Sequence, residues 1–251
     1  MRLTHVGTAT LLLEVGGQRI LTDPALDPGG KHYRFRLGFS SKKLEEPRVP
    51  AGGLEPIDLV LLSHDHHADN LDAAGRELLP RAGRVLTTPS GARRLGGNAF
   101  GLAAWESIVL GDLKVTAVPA RHGPPLIEVM DGETTGFVLE HPTQKGGALY
   151  ISGDTVFFGG IPEIGRRFKI ATAILHLGGV RFGITGPLRY TFTAKGAVEA
   201  VRVLGRPRVV PVHYDGWAHF REPRSEFEGR FSAEGFDVRW LPRGEAVELP
   251  D

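Results

Sequence analysis

The chain has 251 residues, and its 30 Lys and Arg balance 29 Asp and Glu to a formal charge of +1. That neutrality argues against a general nucleic-acid or membrane-surface binder, which carries a basic excess. An apolar content of 41% with 24% charged residues excludes a disordered chain. No run of 18 apolar residues marks a membrane span. With no cysteine, disulfides, thiolate catalysis and Cys-based metal sites are excluded. The amino terminus lacks the basic and continuous apolar regions of a signal peptide, so a cytoplasmic location is expected. A chain of this length fits one to two domains, and a single domain over residues 1–251 is expected.

Strands are predicted at Arg2–Val6, Thr10–Val15 and Gln18–Thr22, with Gly16 and Gly17 as a two-residue hairpin turn. Pro24 to Pro56 holds five Pro and five Gly and a basic-aromatic patch, Lys31 to Arg36. A connection that long reads as a lid or binding loop over 24–56, with an extended surface wrap as the alternative. Ile57–Leu62, apolar apart from Asp58, reads as a strand covered on both faces. A helix follows, with Leu71, Ala74 and Leu78 on one face and Asp69 or Asn70 as its cap. Val85–Thr88 is a short strand, and Ser107–Leu110 with Leu113–Val118 form a hairpin about Gly111 and Asp112.

Thr135–Glu140 and Ala148–Ser152 are further strands joined by the polar loop His141–Gly147. Ala171–Leu177 is a buried strand. Thr193 caps a helix that presents Ala194, Ala197, Val198 and Val201 on one face and stops at Gly205 and Pro207. Val209–His213 is a strand, Ser225–Ala233 a helix with Phe227 and Phe231 one turn apart, and Val238–Leu241 a last strand. Two strand-rich halves with helices suggest two sheets packed face to face, helices outside.

The chemical signal is concentrated at His64-Asp65-His66-His67-Ala68-Asp69-Asn70, between the buried strand and the helix. Three imidazoles and two carboxylates so close together point to a metal, because zinc and related ions take imidazole nitrogen at about 2.0–2.1 Å and carboxylate oxygen slightly further. His64 and His66, two apart at a strand end, point to one side. His122, Asp154 and His213 each follow a predicted strand, where sheet-based sites assemble.

In these residues the sequence resembles the metallo-β-lactamase-fold hydrolase superfamily. The likeness runs from Leu21-Thr-Asp23-Pro through the His64 cluster, His122 and Ser152-Gly-Asp154-Thr to His213. The opening His5-Val-Gly-Thr-Ala-Thr, with Leu175-His-Leu-Gly-Gly179 and Pro211-Val-His, looks like the branch containing ascorbate-6-phosphate lactonase and N-acylphosphatidylethanolamine phospholipase D. The resemblance implies an α/β fold, a four-layer αββα sandwich. It implies one or two divalent ions, zinc first, with manganese or iron as alternatives.

By that match His64, His66 and His122 hold the first ion, Asp154 bridges, and Asp69 with His213 helps hold the second. Asp23 would orient an imidazole from behind. The family motif is His-x-His-x-Asp-His, and this chain departs from it. Counted from the left, His64 and His66 fit and an extra residue precedes Asp69; counted from the right, Asp65 and His67 take the histidine positions. The insertion is preferred, with His67 supplying what Asn70 does poorly, so a second site weaker than the first or rebuilt around His67 is expected.

The implied chemistry is hydrolysis. A divalent ion lowers the pKa of a water it holds from about 15.7 to about 7, making hydroxide available to a carbonyl carbon or phosphorus, while Asp69 could hold the water and move its proton. Expected substrates are a small ester, lactone or phosphoester. The alternatives are a nuclease or phosphodiesterase, disfavoured by the missing basic tract, and a non-catalytic metal-binding sensing module. Arg181, Arg189, Tyr190, Trp217 and His219 are rim candidates for substrate, an arginine suiting phosphate or carboxylate. Packing for Trp217 and solvation for the arginines are the alternative. His32 and His141 read as surface residues. His5 and His176 read as supporting or core histidines.

Overall fold

A computed structural model describes residues 1–35, 40–123, 132–182 and 186–250. Arg36 of the basic-aromatic patch lies outside them. They form two compact units: Met1–Ala103 with Gly216–Ala218 and Leu241–Pro250, and Ala104–Asp215 with His219–Trp240.

In the first unit the chain lays down β1 (Arg2–Gly7), β2 (Thr10–Val15) and β3 (Gln18–Thr22) as an antiparallel meander. Gly16 and Gly17 turn the β2–β3 hairpin at φ +58° and +79°, the pair of positive values that a two-residue turn of this kind demands. β4 (His32–Arg34) and β5 (Ser40–Lys42) make a separate ribbon. β6 (Leu59–Leu61), β7 (Arg84–Thr87) and β8 (Ala99–Gly101) then run parallel from β3 outward. The chain returns for β15 (Ala246–Glu248), which pairs with β1. The seven-stranded order is β15-β1-β2-β3-β6-β7-β8.

The parallel pairing of β3 with β6 has a direct consequence for chemistry. Thr22 and Leu61 are register partners, so Asp23 and Ser63 leave the sheet at the same edge. Helices α1 (Ala51–Leu54), α2 (Ala73–Leu78) and α3 (Pro89–Leu95) complete the unit. Leu21, Leu54, Val60, Leu62, Leu78 and Val85 lie at the centre of its core.

The second unit is a six-stranded sheet, ordered β14-β13-β12-β11-β10-β9. β9 (Ser107–Leu110), β10 (Leu113–Pro119), β11 (Thr135–Glu140) and β12 (Ala148–Ile151) are antiparallel neighbours. β13 (Ile170–His176) and β14 (Arg208–Val212) continue in parallel with β12. Parallel neighbours need crossovers, and α4 (Gly160–Arg167) and α5 (Ala194–Val203) supply them; α6 (Arg224–Ala233) follows. The apolar face expected of α5 is there: Ala194, Ala197, Val198 and Val201 join the core with Phe227 and Phe231 of α6. Thr193 Oγ1 accepts from Gly196 N at 3.1 Å, the expected cap.

Three expectations are corrected. The cap of α2 is Asp72, whose carboxylate accepts from Gly75 N at 3.0 Å, so Asp69 and Asn70 precede the helix in a turn. Val238–Leu241 forms no strand: Val238 makes a single bridge to Val209, and the last strand is β15. The strand expected over Ile57–Leu62 is confined to its centre, because Asp58 turns outward to accept from Arg19 N at 2.8 Å. Among the described residues no helix is long and apolar enough to cross a membrane.

Candidate metal centre

Just beyond the end of β6, Ser63 starts the loop that carries the histidine cluster. Asp23 Oδ1 accepts from Ser63 N at 2.7 Å and from Ser63 Oγ at 2.9 Å. Ser63 Oγ also lies 2.9 Å from His64 Nδ1. An ionised carboxylate can only accept, so the serine hydroxyl spends its one hydrogen on Asp23, and His64 Nδ1 must be the donor to Ser63. That fixes the His64 tautomer and leaves Nε2 with the lone pair a cation needs. Asn70, fully buried, adds a donor from Nδ2 to Ser63 Oγ at 3.3 Å. Asp23 and Asn70 thus both bond Ser63, the group that meets His64 Nδ1. Asp23 holds this position at φ +34°, a strained backbone value for a non-glycine residue.

Around His64 the other imidazoles gather. His64 Nε2 and His67 Nδ1 are 3.1 Å apart, and one nitrogen from each of His64, His66 and His67 lies within 4.8 Å of the others. The rings pack at 4.4 to 5.0 Å between centroids. Imidazoles this close cannot all be protonated without a compensating anion, so the cluster is suited to a cation. Asp69 is 3% exposed in the same loop.

Asp65 is held from outside the cluster. Arg94 of α3 grips both its carboxylate oxygens, Nε to Oδ2 at 2.8 Å, and Arg76 donates to its backbone carbonyl. The Arg94 fork holds the Asp65 carboxyl below its ordinary range against the opposing cost of burial. Asp65 Oδ1 also lies 4.0 Å from His66 Nδ1.

In the second unit three strand ends contribute one group each. His122, after β10, has Nδ1 2.7 Å from the carbonyl of Tyr190; a carbonyl only accepts, so Nδ1 donates and Nε2 keeps its lone pair. His213, after β14, has Nδ1 3.4 Å from Leu177 O and holds φ +56°. Its Nε2 is 3.6 Å from Asp154 Oδ2. One oxygen of Asp154 also lies within 4.8 Å of a His122 nitrogen. Asp154 is 1% exposed, and among the described residues neither of its carboxylate oxygens has a hydrogen-bond partner. A buried carboxylate left that way is costly and fits a site for a cation.

His176, whose Nδ1 is 3.2 Å from Ser152 Oγ, packs beside His213 with centroids 5.8 Å apart. The rim candidates divide. Trp217 is 2% exposed, its ring 4.9 Å from Tyr33 and 6.1 Å from Phe35, which matches the packing alternative. Arg189 sits 3.9 Å from Glu222, Arg181 is half-buried, and His219 stacks on Phe182 at 5.1 Å. Tyr190 is an aromatic neighbour of His122, and Phe182, which no motif in the sequence singled out, lies beside Tyr190.

Two histidine-carboxylate clusters on the strand ends of two mixed α/β sheets define a metal-dependent hydrolase. The chain belongs to the β-lactamase superfamily, whose domain matches residues 18–214. A UPF0173 metal-dependent hydrolase of Methanosphaerula palustris is 29% identical over 257 residues, covering 99% of this chain and all of that protein. Among solved structures, an isothiocyanate hydrolase from Delia radicum gut bacteria matches with a TM-score of 0.85 at 23% identity, covering 99% of both chains. A metallo-β-lactamase fold protein from Bacillus subtilis matches with a TM-score of 0.63 at 11% identity, covering 98% of both. The structural likenesses give the fold, the α/β metallo-β-lactamase type expected from the sequence.

Proposed function

We propose that this metal-dependent hydrolase cleaves a small ester, lactone or phosphoester. The observation that carries the reading is the shared orientation of His64, His122 and His213. Each has its Nδ1 directed at an internal acceptor, which leaves Nε2 to coordinate. Following the superfamily pattern, His64, His66 and His122 would hold a first zinc, with manganese or iron as alternatives. Asp154 would be shared, and Asp69, His213 and His67 would hold a second ion, His67 standing in for the neutral Asn70. When bound, such an ion supplies activated water and polarises the scissile group.

The chain's own groups do the rest. Asp69, a buried carboxylate beside the cluster, is proposed to accept a proton and release it to the departing group. Asp23, acting through Ser63, keeps the His64 proton on Nδ1. Arg181 and Arg189 are proposed to meet the substrate, although an anion at Arg189 competes with Glu222, while Trp217 and His219, both buried, are proposed to serve packing. The resemblance to the lactonase and phospholipase branch supports the choice of ester and phosphoester substrates.

The test pairs metal analysis of chelator-free protein with turnover of p-nitrophenyl acetate, a simple lactone and bis(p-nitrophenyl) phosphate. A simple isothiocyanate is added because a protein of the same fold acts on that class. Bound divalent metal and turnover of at least one oxygen ester or lactone are expected, with turnover abolished in His66→Ala. Asp23→Asn should weaken metal affinity about 10–100-fold. Metal-free wild type, or a His66→Ala variant as active as wild type, refutes the reading.

A further inference from the structure

We propose that the second unit carries an aromatic shelf that receives a flat, uncharged ring of the substrate, with Phe182 as its specificity-determining residue. This rests on the hydrolase reading above and deepens it by naming a substrate class. The rings of His122, Tyr190, Phe182, His219, Phe220 and His213 form one unbroken series of contacts. His122 meets Tyr190 at 5.7 Å, Tyr190 meets Phe182 at 5.8 Å, and Phe182 stacks on His219 at 5.1 Å and 13°. His219 meets Phe220 at 4.8 Å, and Phe220 meets His213 at 4.4 Å. The series begins and ends on the two histidines assigned as ligands in this unit.

Backbone bonds hold the shelf in shape. Gly179 N donates to Phe192 O at 3.0 Å and Tyr190 N to Val180 O at 3.1 Å, pairing the two segments that carry Phe182 and Tyr190. Arg181 N donates to His219 O at 3.2 Å, which ties the stacked pair together through the main chain. Tyr190 and His219 are 2% and 3% exposed, while Phe182 is only half-buried. The lower layer is therefore fixed and closed, and Phe182 is the ring that keeps surface for a ligand.

Of the three arginines near the shelf, Arg181, whose Nε is buried without a hydrogen-bond partner among the described residues, is left for a polar group of the substrate; the other two are engaged. Arg189 lies opposite Glu222, and Arg221 Nε donates to the Arg181 carbonyl at 3.2 Å, so these two cations already face internal acceptors. What the shelf presents is π surface, which prefers offset-stacked or edge-on aromatic partners. A benzoyl or phenyl group on the substrate fits this surface, and a bare acetyl group leaves it unused.

The test uses two probes with the same metal-binding head, benzohydroxamate and acetohydroxamate, titrated calorimetrically into zinc-loaded protein without turnover. Wild type is expected to bind benzohydroxamate about tenfold more tightly. Phe182→Ala should bring the ratio close to unity, and Phe182→Tyr should restore it, with zinc content and melting temperature as in wild type. Equal affinities in wild type, or a preference that survives Phe182→Ala, overturns the shelf while leaving the hydrolase reading intact. If zinc-loaded protein binds neither hydroxamate, the metal reading fails and the shelf falls with it.

Discussion

The two units hold their histidines by different means. In the first, the cluster sits within four consecutive residues and is braced by side chains: Asp23 and Ser63 behind His64, Arg94 on Asp65, Asn70 on Ser63. In the second, the histidines stand on separate strand ends and are fixed by main-chain carbonyls, Tyr190 O for His122 and Leu177 O for His213. A cluster braced by side chains can be unpicked one residue at a time, whereas carbonyls survive every substitution. Mutational sensitivity beyond the ligands themselves should therefore concentrate in the first unit.

The largest expected effect breaks the polar scaffold of that unit. Lys43 and Asp72 form a buried pair at 3.0 Å, with side chains 2% and 0% exposed, and the ammonium also reaches Ala25 O at 2.8 Å. Burial draws the Lys43 ammonium below its ordinary range and Asp72 opposes that shift. Asp72→Ala strands the cation and removes the α2 cap, and should cost about 3–5 kcal/mol in urea denaturation. A loss under about 1 kcal/mol would show the scaffold to be dispensable.

A smaller effect comes with pH. Burial, opposed by the bond to Thr8 O and aided by nearby Arg243, lowers His5 from the ordinary 6.5 to about 4. Because the folded protein refuses a proton that the unfolded chain accepts, stability is complete above about pH 6.5 and declines as the pH falls toward 4, by about 3 kcal/mol at the limit. In His5→Gln, which keeps a donor for Thr8 O, the urea midpoint should fall less between pH 7 and pH 5 than in wild type. Parallel profiles for the two proteins would assign the acid sensitivity elsewhere.

The smallest effect sharpens the contrast from the other side. Tyr150 lies wholly inside the apolar core of the second unit, and among the described residues its hydroxyl has no hydrogen-bond partner. Tyr150→Phe should raise stability by up to about 1 kcal/mol. A destabilised variant would mean that the hydroxyl serves a bond this structure does not show.

Much of this was legible in the sequence, and the reasons differ by region. The His64 cluster is local, so adjacency alone revealed it. The β2–β3 hairpin was readable because apolar and β-branched runs flank Gly16 and Gly17. The α2 boundary was not, because Asp69, Asn70 and Asp72 are all good caps and only the fold selects Asp72. β15 was missed because Ala246–Glu248 is short and has meaning only beside β1, and Val238–Leu241 has the composition of a strand without a neighbour to complete one. The start of α3 was there to be read, since Thr88 before Pro89 is a cap followed by a proline at the first helical position. The pairing of Arg94 with Asp65, and the carbonyls that select the histidine tautomers, leave no trace in composition or spacing.

The double service of Asp72 reaches past its own helix. Its carboxylate takes the amides of Leu26 and Asp27 as well as that of Gly75, and a methyl group at Gly75 would collide with the Pro24 carbonyl. Irregular backbone is where engineers usually splice tags and where proteases nick, yet Pro24–Asp27 is as firmly moored as any strand. The loop His141–Gly147, half-open and held by its own short turn, is the more forgiving address for a cut or an insertion.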